Sequence, residues 1–264
     1  MNIVKREIKS NLKSMIIWSI AIALLVTIWM IEFDSFSGNP AINDFLEEMP
    51  QEMLAAMGMQ DFTMGSLEGF IGTISLYLYL LLGLQAILLG SSIISKEERD
   101  KTAEYLFVLP ISRRRIILGK LISALINLVT LNIVTLLSVI LSTISYDKGE
   151  NFYSFIVLMF VSVFIIQMIF LSIGLLVSSV NKKYKKSGNI SVGILMITFL
   201  ISSLINMVDS LDFLKYISPF KYFDSSYILS EMSLEPIYII ISILIIVAGI
   251  GGTFKFYIKR DLYI

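Results

Sequence analysis

Six stretches of the chain, residues 14–33, 70–94, 116–144, 153–180, 188–207 and 236–257, run for about 20 residues or more with no charge near the middle. At about 1.5 Å per residue a helix of that length crosses the ~30 Å hydrocarbon layer, so the pattern predicts six transmembrane helices. Hydrophobic residues are 56% of the chain and mean hydropathy is +0.82, which argues against a soluble fold. The expected fold class is all-α, a polytopic membrane protein whose single transmembrane domain takes in residues 1–264.

Basic and acidic residues are equal at 21 each, so net charge points to no nucleic-acid partner. Their placement is the useful signal. Eighteen basic residues lie before the first span, around the second and fourth loops and at the C-terminal end, against three in the other loops. The positive-inside rule then predicts that both termini are cytoplasmic, as an even number of spans requires. Fifteen of the 21 acidic residues fall on the opposite side, eight of them between Glu32 and Glu68. No small-x-small cleavage pattern follows the first span, so it is expected to stay as an anchor.

Cysteine and histidine are both absent, which excludes disulfides, thiol nucleophiles, Cys/His zinc sites and any imidazole base. There is no G-x-x-x-x-G-K-[ST] run; Gly249-Ile-Gly-Gly-Thr-Phe-Lys has the wrong spacing and lies in a span. The chain is therefore expected to bind no cofactor of its own and to hydrolyse no ATP. A charge at the centre of a span would cost ~3 kcal/mol, and proton- or sodium-coupled carriers commonly accept that cost to bind their ion. Spans without one point to energy arriving from outside the bilayer.

Residues 1–13 alternate Ile3, Val4, Ile8 and Leu12 with Lys5, Lys9 and Lys13, the pattern of a short interfacial helix that bends into the first span. The outer loop at 32–69 reads as short amphipathic helices broken at Pro50. Its methionines Met49, Met53, Met57, Met59 and Met64 fit an apolar helix face, with soft Cu(I) ligation as the rival reading. The outer loop at 208–235 is rich in aromatic residues and should dip into the interface.

Small and polar residues form stripes within the spans. Gly72, Ser75, Tyr79, Gly83, Ala86 and Gly90 share one face of the second span, and Gly188, Ser191, Thr198, Ser202 and Asn206 one face of the fifth. In the third, Ser123, Asn127, Thr130 and Ser138 lie together and Asn132 points the other way, while Gln85 and Gln167 stand as isolated amides. Such faces serve helix packing first and the lining of a translocation path second. The path candidates are Ser75, Tyr79, Gly83, Asn127, Thr130, Ser191, Thr198, Ser202 and Asn206.

The segment 95–115 compresses charge and helix formers between two apolar runs. Glu97 and Lys101 support one another at i,i+4, Pro110 stops the helix, and Ser112 can cap the third span. A short helix with charged ends and a Tyr105, Leu106 and Leu109 centre is shaped to dock on a cytosolic protein.

Three features resemble the ABC-2 type permeases, the membrane subunits of ABC exporters. They are Lys96-Glu-Glu-Arg-Asp-Lys-Thr-Ala-Glu-Tyr-Leu-Phe-Val-Leu-Pro-Ile-Ser-Arg with Leu118-Gly-Lys, Tyr216-Ile-Ser-Pro-Phe-Lys-Tyr-Phe-Asp, and six spans with a large first outer loop. Lys101 departs from the Gly usual before Thr102. The resemblance implies that 95–115 is a cytoplasmic coupling helix. Glu97, Glu98 and Arg99 would sit near the inner gate, with Thr102, Tyr105, Leu106 and Pro110 at the ATPase contact.

It also implies two copies of a cytosolic ABC ATPase carrying ATP and Mg, a second permease copy or paralogue, and an interface lined by spans one, two and five. The expected cargo is an amphipathic or hydrophobic peptide, drug or lipid-like molecule, exported across a cell membrane, the bacterial plasma membrane. A sodium exporter and a non-transporting scaffold or sensor subunit are the alternatives.

Overall fold

The computed structural model describes residues 3–37, 48–57, 59, 65–99, 112–181 and 184–259, which form helices and no strand. Six helices are long and apolar enough to cross a membrane. They are α1 (Ile3–Ser37), α3 (Leu67–Arg99), α4 (Arg113–Ser142), α5 (Phe152–Val180), α6 (Tyr184–Met207) and α8 (Pro236–Lys259). Two short helices, α2 (Gln51–Ala56) and α7 (Ser225–Glu231), lie in the loops expected to face outward, together with 3₁₀ turns at Asp209–Tyr216 and Pro219–Lys221.

Helix α1 is continuous: its 35 residues contain neither Gly nor Pro, so nothing interrupts the hydrogen-bond ladder between the basic start and the apolar span. At ~1.5 Å per residue α1 is ~52 Å long and α3 ~50 Å, both well beyond the hydrocarbon thickness. Ser112 caps α4 as predicted, its hydroxyl accepting from the Arg115 N–H at 3.4 Å.

Helices α3 and α5 are the centre of the bundle: 72% and 61% of their most apolar windows are buried, against 17% for α1. Their crossing is backbone on backbone. A Cβ at Gly90 would lie 2.4 Å from the Leu171 carbonyl oxygen, and one at Gly174 would lie 2.4 Å from that of Ile87. Gly83 meets Phe170 in the same seam. The Gly83 and Gly90 part of the small-residue face of the second span is thus covered by α5 of the same chain. Gly249 brings α8 onto Ser172 of α5, α6 flanks α3, and α1 packs chiefly on α4.

The aromatic loop folds back into the bundle. Phe220 is buried between Phe170 of α5 and Phe199 of α6, with ring centroids 5.2 and 5.5 Å away. Tyr222 stacks on Tyr238 at 5.2 Å and donates to the Tyr216 carbonyl at 2.6 Å. Burial, with Tyr238 beside it, pushes the Tyr222 phenol up to about 12. Beyond Pro50, α2 rests on α6, where Asn206 Nδ2 donates to the Ala55 carbonyl at 3.2 Å. Met59 packs against the core and Met53 is half exposed; Met64 lies outside the described residues.

Candidate functional site

Where α1, α3 and α4 begin or end on the side expected to be cytoplasmic, they share a buried charge cluster. Lys120 of α4 is completely buried, and its ammonium uses all three donors. It reaches Glu97 Oε1 of α3 at 2.6 Å, the Ile93 carbonyl at 2.6 Å and Glu7 Oε1 of α1 at 3.4 Å. The second oxygen of Glu7 faces Lys96 Nζ at 3.6 Å, and Lys96 also bonds Ser10 of α1. Two lysines and two glutamates therefore balance across three helices. The preceding residue explains how they meet: a Cβ at Gly119 would lie 2.8 Å from Ile3 Cγ2, so only glycine lets the start of α1 come this close. Arg113, at the head of α4, donates to the Ile258 carbonyl of α8 at 3.0 Å and ties in a fourth helix.

Just beyond the cluster, α1 stands away from α3 because it packs on α4. The gap is a cavity of about 330 Å³ along α3, lined by Asn11 and Trp18 of α1, Gln85, Ser92 and Lys96 of α3, and Asn127 of α4. Gln85 is buried and gives one hydrogen bond, Nε2 to Asn127 Oδ1 at 2.9 Å. Its Oε1, like Asn11 Nδ2, is buried without a partner.

Deeper in the bundle Asn132 of α4 donates to Gln167 of α5. The amides read as isolated are thus two pairs, one on each side of α4. Asn127 and Asn132 are five residues apart, or about 140° around the helix, so one meets α3 and the other α5.

At the opposite end, Tyr79 and Ser75 of α3, Ser202 and Asn206 of α6, and Asp224 and Ser225 of the re-entrant loop enclose about 40 Å³. That is room for two or three waters at ~10–15 Å³ each. Ser75 Oγ bonds Ser225 Oγ, and the Tyr79 hydroxyl reaches toward Ser225, Ser162 and Ser75 without a hydrogen bond of good geometry. Asp224 caps α7 through the Ser226 N–H at 3.0 Å and pairs with Lys221 at 3.0 Å. Burial acts to raise the Asp224 carboxyl, but the Lys221 ammonium and the Ser226 bonds outweigh it and hold the group below the usual carboxylate range.

Of the coupling residues, Thr102, Tyr105, Leu106 and Pro110 lie outside the described residues. Glu98 and Arg99 form the last turn of α3, their side chains outside the description. Glu97 is buried against Lys120, so it can act on a partner only through that lysine.

The path candidates divide into four groups. Ser75, Tyr79, Ser202 and Asn206 converge on the outer pocket, while Asn127 lines the inner cavity. Gly83 and Ser191 are packed. Thr130 and Thr198 bond their own helices, to Ile126 and Leu195 carbonyls, although Thr198 also accepts Ser218 Oγ on its carbonyl at 2.7 Å. Sequence reasoning missed the role of Glu7 and Lys120. Their one signal was an acid set among basic residues and a lysine a few residues inside an apolar run.

Six helices long and apolar enough to cross a membrane make this a multi-pass membrane protein. The chain belongs to the ABC-2 family of transporter proteins, whose family model matches residues 1–262. It is accordingly a transporter permease subunit, and the family implies an ABC ATPase as its general partner. No curated protein matches the sequence.

Proposed function

We propose that this permease couples ATP hydrolysis on a separate cytosolic ABC ATPase to export of an amphipathic or hydrophobic substrate, working as a pair with a second copy or a paralogue. The supporting observation is the buried cluster of Glu7, Lys120 and Glu97. It lies beside residues 100–111, which link α3 to α4 and which by resemblance would form the coupling helix.

A push on that segment meets α3 at its last turn, and Lys120 binds α3 twice, through Glu97 and through the Ile93 carbonyl. Because Glu7 joins the same ammonium, α1 and α4 move with α3 rather than slide past it. Interior ion pairs resist separation because an abandoned buried charge is costly, so this contact behaves as a clamp. The helices that would shift are those lining the inner cavity. With both termini in the cytoplasm, ATP-driven closure of two ATPases would move α1, α3 and α4 together and open or squeeze the path between this permease and its second copy or paralogue.

The test is co-purification of the ATPase with a Tyr105→Asp, Leu106→Asp variant, alongside substrate-stimulated ATPase activity in vesicles. The variant is expected to lose both; retention of binding and activity refutes the coupling assignment.

A further inference from the structure

The cavity between α1 and α3 does more than provide clearance for a moving helix. We propose that it receives the backbone of a neutral, apolar peptide segment, with one peptide N–H donated to Gln85 Oε1 and one peptide carbonyl accepting from Asn11 Nδ2. The inference rests on the permease reading above and names the substrate class of that same protein.

The shape comes first. Gln85 and Lys96 are 11 residues apart on α3, which is ~16 Å along the axis and only about 20° around it. The cavity therefore runs lengthwise beside the helix, with Lys96 toward one end and the Gln85–Asn127 pair toward the other. Its volume of about 330 Å³ is far more than the polar atoms need for water alone.

The chemistry of the wall is mixed in a specific way. Gln85, 4% exposed, presents an acceptor with no donor, and Asn11 presents a donor with no acceptor. Leu88, Leu89 and the half-buried Trp18 supply the remaining surface. A secondary amide offers both complementary groups and carries apolar substituents, which is the repeating unit of a peptide.

Charge separates this occupant from a lipid phosphate. Lys96 toward one end faces Glu7, and Lys120 faces Glu97, so the described cluster is electrically balanced and calls for no anion. A neutral backbone enters without upsetting that balance.

The experiment uses the full chain in phosphatidylcholine vesicles with Trp29→Phe, which leaves Trp18 as the single tryptophan reporter. The probe is an end-capped pentapeptide of alternating leucine and alanine, compared with its backbone N-methylated analogue. The plain peptide is expected to change Trp18 emission saturably, and the N-methylated one to bind about tenfold more weakly, since it cannot satisfy Gln85.

Gln85→Leu should weaken the plain peptide to a similar degree and erase the difference between the two probes. Asn11→Leu, at a partly buried position, gives a second variant should the first fold poorly, and is expected to weaken the plain peptide too. Equal binding of both peptides, a response that never saturates, or the same emission change on adding phosphatidylglycerol without peptide would overturn the proposal. No ATPase is present in this assay. Loss of peptide binding with intact ATPase association thus removes the substrate class alone, and the converse removes the coupling assignment alone.

Discussion

Replacing Lys120 with methionine removes the ammonium and keeps a side chain of similar length in the same fully buried place. Glu97 loses its 2.6 Å partner and Glu7 its 3.4 Å one, leaving Lys96, 3.6 Å from Glu7, as the described cation facing the pair. Breaking a buried pair from one side typically costs about 3–5 kcal/mol, because the abandoned carboxylates stay desolvated. For a chain of this size ~1 kcal/mol corresponds to about 2–4 °C in Tm, so the variant should melt roughly 6–20 °C lower.

The control is Lys120→Met combined with Glu97→Gln. It removes one charge of each sign, and neutral replacement of a buried pair is often close to free, so most of the loss should return. Fluorescence-detected size-exclusion melts of the purified permease measure both. A Lys120→Met melt within about 2 °C of the wild type would refute the argument. So would a double variant no more stable than the single one, since Lys120 would then act through packing and not through Glu97.

Gly90→Ala should destabilise the bundle by about 1–3 kcal/mol, since its Cβ would sit 2.4 Å from a backbone oxygen that no side-chain rotation can move. The same melts check it, with Gly251→Ala, where a Cβ meets nothing within 4 Å, as the silent comparison. Asp224 gives a pH dependence whose sign follows from its lowered pKa. Its contribution is fully present above the ordinary aspartate value of about 3.9 and is lost as pH falls through the lower folded value. Wild type should therefore lose more stability than Asp224→Asn between neutral pH and about pH 3, and parallel pH profiles would exclude the role given to the pair with Lys221.

Six spans were legible, and all their ends but the start of the first within about five residues, because hydrophobic length and capping act locally. Ser112 and Pro50 mark helix starts in both sequence and structure. The junction at the end of the basic segment was not legible as continuous, because amphipathic periodicity reports which face is apolar and not whether the axis bends.

Polar stripes identified candidate faces but could not choose their neighbours. Gly90 meets α5 of its own chain, and Asn127 and Asn132 find amides on opposite sides of α4. The charge cluster was the least visible part. Glu7, Glu97 and Lys120 come from three helices, and each alone reads as an ordinary charge near a membrane boundary.

The crossing of α3 and α5 at Gly90 and Gly174 also sets a mechanical ratio. From Gly90 to the inner end of α3 at Arg99 is nine residues, ~14 Å, while the outer end at Leu67 is 23 residues away, ~35 Å. A stiff rod held at that crossing is a lever with unequal arms. An inner displacement of ~1 Å becomes ~2.5 Å at Leu67, and ~1.7 and ~1.2 Å at Ser75 and Tyr79, whose arms from the crossing are shorter. The bundle's tightest contact is thereby its fulcrum, and a small motion at the charged end is multiplied at the far one.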